Sequence, residues 1–208
     1  MTIDIGTGDG RAVLALAARE PTTLAIGLDA HAASMVEASR RAARPARKGG
    51  LSNALFVVAA AEAVPAELGG AAAVVTVQFP WASLLRGCLG RDELVAAGVA
   101  SVVAPGGVLE LLLAPAERDR LAGLPTEADA IVGAAAAAFG PHGFRLVEGR
   151  EATPAELAAT PSTWARRLLP RNGAGAAAAR QPVLVRLRRD GRSPRSLSPG
   201  VLRRWAAD

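Results

Sequence analysis

Asp4-Ile5-Gly6-Thr7-Gly8-Asp9-Gly10 is the segment of this chain whose residue types and spacing best suit a bound ligand. It follows a short apolar run, Thr2–Ile5, and precedes a helical pattern, Arg11–Arg19. Gly6 and Gly8 let the backbone turn sharply and approach a ligand closely. The spacing is Gly-x-Gly-x-Gly, and the dinucleotide fingerprint needs a further glycine where Arg11 stands. Asp4 and Asp9 also place negative charge where a dinucleotide would put its pyrophosphate, which disfavours a nicotinamide dehydrogenase. The same charge suits a ligand carrying an ammonium and a sulfonium. A glycine triplet alone also describes an ordinary tight turn. Asp29 ends the second apolar run, where a carboxylate can bind both ribose hydroxyls. It can equally cap the helix that starts near Ala32, and the two uses are compatible. Ala60-Ala61-Glu62 follows the third strand, where an adenine edge normally lies; Glu62 also reads as a solvated loop carboxylate.

A second constellation follows the fourth strand, Gln78-Phe79-Pro80-Trp81-Ala82-Ser83-Leu84-Leu85-Arg86-Gly87. Pro80 fixes a turn, and Trp81 is expected at the reacting end of the ligand site. A third segment, Pro161-Ser162-Thr163-Trp164-Ala165-Arg166-Arg167-Leu168, lies between the sixth and seventh strands. Two indole faces can hold a flipped-out base between them. The alternative for each Trp is burial in the core. With three Trp, four Phe and no Tyr, an exposed Trp would stand out in this chain.

The elements that must position these residues alternate strand and helix. Strands are expected at Thr2–Ile5, Leu24–Leu28, Leu55–Val58, Ala72–Val77, Val108–Leu113, Phe144–Arg150 and Pro182–Arg188. Helices are expected at Arg11–Arg19, Ala32–Ala43 and Thr126–Phe139, the last capped by Thr126. This alternation implies an α/β fold with a mainly parallel sheet covered on both faces. Seven strands in this order fit the Rossmann-like class I methyltransferase arrangement, with the last strand antiparallel. Residues 1–190 are expected to form this one domain. Residues 191–208, rich in Ser, Pro and Arg, are expected to form a flexible basic tail.

The chain has 208 residues, enough for one domain with a sizeable core. No apolar stretch reaches the roughly 20 residues that span a bilayer, and no leader pattern opens the chain. A cytoplasmic monomer is the simple expectation. One cysteine, Cys88, gives no internal disulfide framework, and with two histidines no metal site is expected. The net charge is +5, carried almost wholly by arginine, with Lys48 the sole lysine. Arginine-rich surfaces suit phosphate, and abundant Arg, Ala and Gly also follow from a GC-rich genome.

Asp-x-Gly-Thr-Gly-Asp-Gly, Lys48-Gly49-Gly50-Leu51-Ser52-Asn53, Phe-Pro-Trp-Ala-Ser-Leu-Leu-Arg-Gly and Ser-Thr-Trp-Ala-Arg-Arg-Leu occur here in that order. Together they resemble the aminoglycoside-resistance 16S ribosomal RNA methyltransferases of the Kam type, from residue 1 to about residue 188. That family methylates N1 of adenosine 1408 in the 30S subunit, using S-adenosylmethionine (SAM). The resemblance implies that Asp4, Gly6, Gly8 and Asp29 bind SAM, with Ala61 and Glu62 near its adenine. It implies that Trp81 and Trp164 stack the target base beside Phe79 and Pro80, and that Ser162 or Thr163 helps order the cofactor. It places Arg44, Arg47, Lys48, Arg86, Arg166, Arg167 and Arg171 against RNA; for each, a solvated face is the alternative. Three departures stand out. The family carries residues before the first strand that serve in docking, whereas Met1 here almost begins that strand. Ala82 replaces a usual glycine. The 171–180 linker is rich in Gly and Ala. A small-molecule methyltransferase and a non-catalytic RNA-binding relative on the same fold are the competing readings.

Overall fold

The computed structural model describes residues 1–115, 123–160 and 182–191. In chain order these form β1 Thr2–Ile5, α1 Arg11–Arg19, β2 Ala25–Asp29, α2 Ala32–Ala42, β3 Ala54–Val58 and β4 Ala72–Gln78. Next come α3 Ala82–Cys88, α4 Glu93–Val102, β5 Val103–Leu113, α5 Ala128–Phe139, β6 Phe144–Glu151, α6 Pro154–Ala159 and β7 Val183–Arg189. The strands make one sheet of order β3-β2-β1-β4-β5-β7-β6. β1 to β5 pair in parallel, and β7 runs antiparallel to both β5 and β6. The chain moves outward from β1 to β3 and then crosses back to place β4 on β1's other side. The strand order therefore reverses between β1 and β4, and a crevice opens at their carboxyl ends.

Side-chain alternation divides the two faces. Val75 and Val77 of β4, Leu109, Leu111 and Leu113 of β5, and Val185 and Leu187 of β7 are buried with Leu85, Val95, Val99, Ile131 and Phe139 of α3, α4 and α5. On the other face Val13, Leu14 and Ala17 of α1 pack with Ala38 and Ala42 of α2 over Ala25 and Ala54. The intervening positions form a polar row across the sheet. Asp4 pairs in register with Thr76, Thr76 with Glu110, Glu110 with Arg186, and Arg186 with Glu148.

Several elements differ from the sequence expectation. α5 begins at Ala128, with Glu127 at the cap position and no side-chain cap bond, so Thr126 does not cap it. β5 starts at Val103, five residues before the expected Val108, and runs through Pro105-Gly106-Gly107 with a register shift against β4 between Ala72 and Val74. Gly107 permits this, since a Cβ there would lie 3.0 Å from the carbonyl oxygens of Ala72 and Ala73. α3, α4 and α6 are additional. α6 carries a reciprocal capping box between Thr153 and Glu156, with Pro at its start.

Candidate cofactor and substrate cleft

The crevice above β1 and β4 is a cleft of about 570 Å³, within the range of small-molecule sites. The glycine loop forms its floor. Gly6 and Thr7 donate their N–H groups to the Leu28 carbonyl at 2.7 and 3.1 Å, which folds the loop back over β2. Gly6, Gly8 and Gly10 have φ of +72, +57 and +70°, the left-handed region where a Cβ is disfavoured. A Cβ at Gly6 would also press on the terminal methyl of Leu84 of α3 at 2.6 Å, and that side chain would have to yield. At Gly8 a Cβ would meet nothing within 4 Å, so its backbone faces open cleft.

Asp29 joins loop and strand. Its Oδ2 accepts the Gly8 N–H at 2.9 Å and its Oδ1 accepts the His31 N–H at 2.8 Å. The cap position of α2 belongs to His31, which makes no side-chain cap bond, so Asp29 orders the turn before the helix. Asp4 lies beneath, 7% exposed, its Oδ1 accepting the Thr76 hydroxyl at 2.7 Å. Burial pushes its carboxyl up to about 6, hydrogen bonding from Thr76 and Thr7 restrains the rise, and the charge of Asp29 adds to it. Two buried oxygens near this point, Thr7 Oγ1 and Gln78 Oε1, have no partner of normal hydrogen-bond geometry.

The walls come from two further strand ends. Ala61 is buried in a short 3-10 turn, Ala61–Ala63, after β3, and the neighbouring Glu62 is exposed. Helix α4 packs directly on that turn at Gly98, where a Cβ would lie 1.7 Å from the Ala61 carbonyl oxygen. Gly98 was not singled out from sequence, although a lone glycine inside a helix costs about 1 kcal/mol against Ala and so signals a close approach. Opposite, Phe79 is half-buried, Pro80 is buried, and Trp81 stands at the rim with 78% of its surface exposed. Phe79 and Ala82 bracket it at φ +50° each. Ala82 thus adopts the backbone conformation that favours glycine, the residue the resemblance leads one to expect there.

Among the described residues the cleft is lined by Asp4, Asp9, Asp29 and Glu62 and by no Arg or Lys. Asp9 pairs with Arg11 at 3.3 Å, and the surplus of carboxylates over cations in the cleft repels phosphate and suits a positively charged ligand. SAM fits this donor set: carboxylates for an ammonium and ribose hydroxyls, bare glycine backbone, and an apolar floor. Among the described residues no cluster of His, Cys, Asp or Glu could hold a metal ion, and no helix is long and apolar enough to cross a membrane. Cys88 is buried, which raises its thiol to about 12 and leaves it unreactive.

The expected RNA-contacting residues are dispersed. Arg44, Arg47 and Lys48 are exposed together at the end of α2 and in the 3-10 helix Ala46–Lys48. Because α2 runs back between parallel strands, this patch lies toward their amino ends, away from the Trp81 rim. Arg86 is half-buried in the last turn of α3. Ser162, Thr163, Trp164, Arg166, Arg167 and Arg171 lie outside the described residues, as does the tail from residue 192.

Sheet order, glycine loop and acidic cleft together define a Rossmann-like methyltransferase of the SAM-dependent class. The chain matches the NpmA family, 16S rRNA (adenine(1408)-N(1))-methyltransferase, over residues 1–181, and it belongs to that family. A protein of that name from Streptoalloteichus tenebrarius is 33% identical over 176 residues, covering 81% of this chain and 80% of its own. One from Escherichia coli is 38% identical over 100 residues, 48% of this chain and 46% of its own. Among solved structures, the 16S rRNA methyltransferase KamB superposes with a TM-score of 0.78 at 29% identity, over 91% of this chain and 87% of KamB. A tryptophan-to-alanine variant of the enzyme from Catenulisporales acidiphilia, crystallised with SAM, also gives 0.78, at 32% identity over 94% and 87% of the two chains.

Proposed function

We propose that this chain methylates N1 of adenosine 1408 in the 16S rRNA of the 30S subunit, using SAM, and so confers aminoglycoside resistance. The observation that carries this is Trp81, exposed on the rim of an acidic cleft, in a chain of this family. An indole left in water at the mouth of a cofactor site is a platform for a nucleobase. Stacking of that kind contributes about 1–3 kcal/mol per base.

SAM, when bound, would supply a methyl group on a sulfonium: the bond from the attacking atom to the methyl carbon forms in line as the carbon–sulfur bond breaks, and the neutral thioether S-adenosylhomocysteine leaves. Adenine N1 has an in-plane lone pair and no proton at neutral pH, so no residue need act as general base. The chain's work is orientation and exclusion of water. Asp29, with Gly6 and Gly8, holds the ribose end, and Ala61 and Glu62 border the adenine. Asp4 faces the ammonium. Trp81 stacks the target base and stabilises the charge it gains, by about 0.5–2 kcal/mol of cation–π attraction. The buried Pro80 and the positive-φ residues Phe79 and Ala82 fix the angle at which Trp81 meets that base. Trp164 is its partner face, Ser162 or Thr163 orders the cofactor side, and Arg166, Arg167 and Arg171 extend the contact to RNA, as the family resemblance implies. Arg44, Arg47, Lys48 and Arg86 bind phosphate in the same reading. The enzyme acts as a monomer in the cytoplasm, where 30S subunits are found.

The Trp81→Ala variant tests the reading. It is expected to lower methylation of 30S subunits at least about 100-fold, the scale of one lost stacking contact together with misorientation. Its affinity for SAM should stay near wild type by calorimetry. Wild-type methylation by the variant, followed by primer extension on treated subunits, contradicts a base platform at Trp81.

A further inference from the structure

Gln78 ends β4 on the face that carries Asp4. Thr76, two residues earlier, reaches the Asp4 carboxylate with its hydroxyl, and side chains two apart on a strand share a face. Gln78 and Asp4 both line the main cleft and also a second, 400 Å³ groove on the α1 side of the sheet, so they meet where the two join. The Gln78 side-chain oxygen is buried without a hydrogen-bond partner. A buried acceptor left unpaired costs about 1–3 kcal/mol, so it marks a place where a donor is missing. Here that acceptor stands beside a buried carboxylate; among the described residues no Lys or Arg lines the cleft, and Arg19 and Arg186 of the second groove are already paired with Glu20 and with Glu110 and Glu148. The missing donor is therefore a small cation with several N–H groups.

We infer that the Gln78 side-chain oxygen accepts a hydrogen bond from the α-ammonium of the methionine portion of SAM, making Gln78 a specificity-determining residue beside Asp4. The inference rests on the SAM reading given above. A contact with the target adenine's amino group is the rival use of the same oxygen. Burial on the Asp4 face argues against that use, because the base platform, Trp81, is at the open rim.

Calorimetry at neutral pH tests this with three ligands: S-adenosylhomocysteine, its decarboxylated analogue, which keeps the ammonium, and 5′-methylthioadenosine, which has neither group. Gln78→Leu is expected to weaken the first two about tenfold and to leave the third within about twofold, the loss of one hydrogen bond to a charged group. Gln78→Glu should retain the first two at wild-type strength or better. Gln78→Met, of similar length, repeats the test should the Leu variant fold poorly. Equal loss for all three ligands assigns Gln78 a structural role and overturns the inference. Loss confined to S-adenosylhomocysteine moves the contact to the carboxylate, and unchanged binding with a raised KM for 30S subunits moves it to the base; either overturns it. A wild-type protein that binds none of the three sinks the SAM reading and this inference with it. Wild-type binding without discrimination by the variants sinks this inference alone.

Discussion

Asp4 and Glu148 stand at opposite ends of one row of side chains across the sheet, and their surroundings move their carboxyls in opposite directions. Burial raises Asp4 to about 6, with only hydroxyl groups to offset it. Hydrogen bonds from Arg150 and Arg186 hold Glu148 below the usual carboxylate range. The paired end continues as a ladder. Arg186 Nε reaches Glu110 at 2.7 Å, Arg150 Nε reaches Glu148 at 2.7 Å, and the Arg150 terminal nitrogens grip both oxygens of Glu156 at 2.8 and 2.6 Å. Every charge there has a partner from the chain, which ties β5, β7, β6 and α6 together. At the Asp4 end, no Arg or Lys among the described residues pairs with the carboxylate, and a hydroxyl donates to it instead. A satisfied polar row is scaffold; the same row left short of donors is a ligand site.

Replacing the unpaired acid should break this contrast most. Asp4→Asn removes a buried charge whose ionisation costs about 3 kcal/mol at neutral pH, given its rise to about 6. For a carboxyl raised on folding, stability is intact at low pH and is lost as pH rises through about 6. Asp4→Asn should therefore melt higher than wild type at pH 8, with the gain vanishing near pH 4, while SAM affinity drops at least about 100-fold for want of a buried counter-charge. Wild-type SAM affinity should fall as pH drops below about 6, as Asp4 takes up a proton. Thermal melts and calorimetry across pH check both halves.

Arg150→Met breaks the opposite end. Glu148 and Glu156 are held below their usual values, so they stabilise the fold above the ordinary carboxylate range and cease to as pH falls. Arg150→Met should melt a few degrees lower at neutral pH, converge with wild type in acid, and bind SAM normally. A loss of SAM affinity equal to that of Asp4→Asn would erase the distinction between the two ends. The smallest effect is at the strained rim. Ala82→Gly should raise stability by about 1 kcal/mol at any pH, since glycine enters the left-handed region without the Cβ penalty. A melt unchanged or lowered contradicts strain at Ala82.

What was legible in the sequence followed from local chemistry. The glycine loop, Asp29 and the seven strands announce themselves by residue type and alternation, and α1 spans Arg11–Arg19 as its apolar spacing implies. α4 escaped notice because it is apolar almost all round, with Leu94 72% exposed beside buried Val95, which blurs the helical period. Its start at Asp92, whose side chain accepts the Val95 N–H, is a sequence signal that passed unread. So is the Thr153-x-x-Glu156 box of α6. The fit of Gly98 against Ala61 and the orphaned oxygen of Gln78 depend on which face a side chain meets across the fold. No local pattern encodes that.

Purified 30S subunits incubated with this protein and tritiated SAM, followed by reverse transcription of the 16S rRNA, test the central claim most directly. The account predicts incorporation of label and a single new stop attributable to N1-methylated adenosine 1408, lost in Trp81→Ala. Binding of SAM without label in the rRNA, or a stop at another nucleotide, would contradict it.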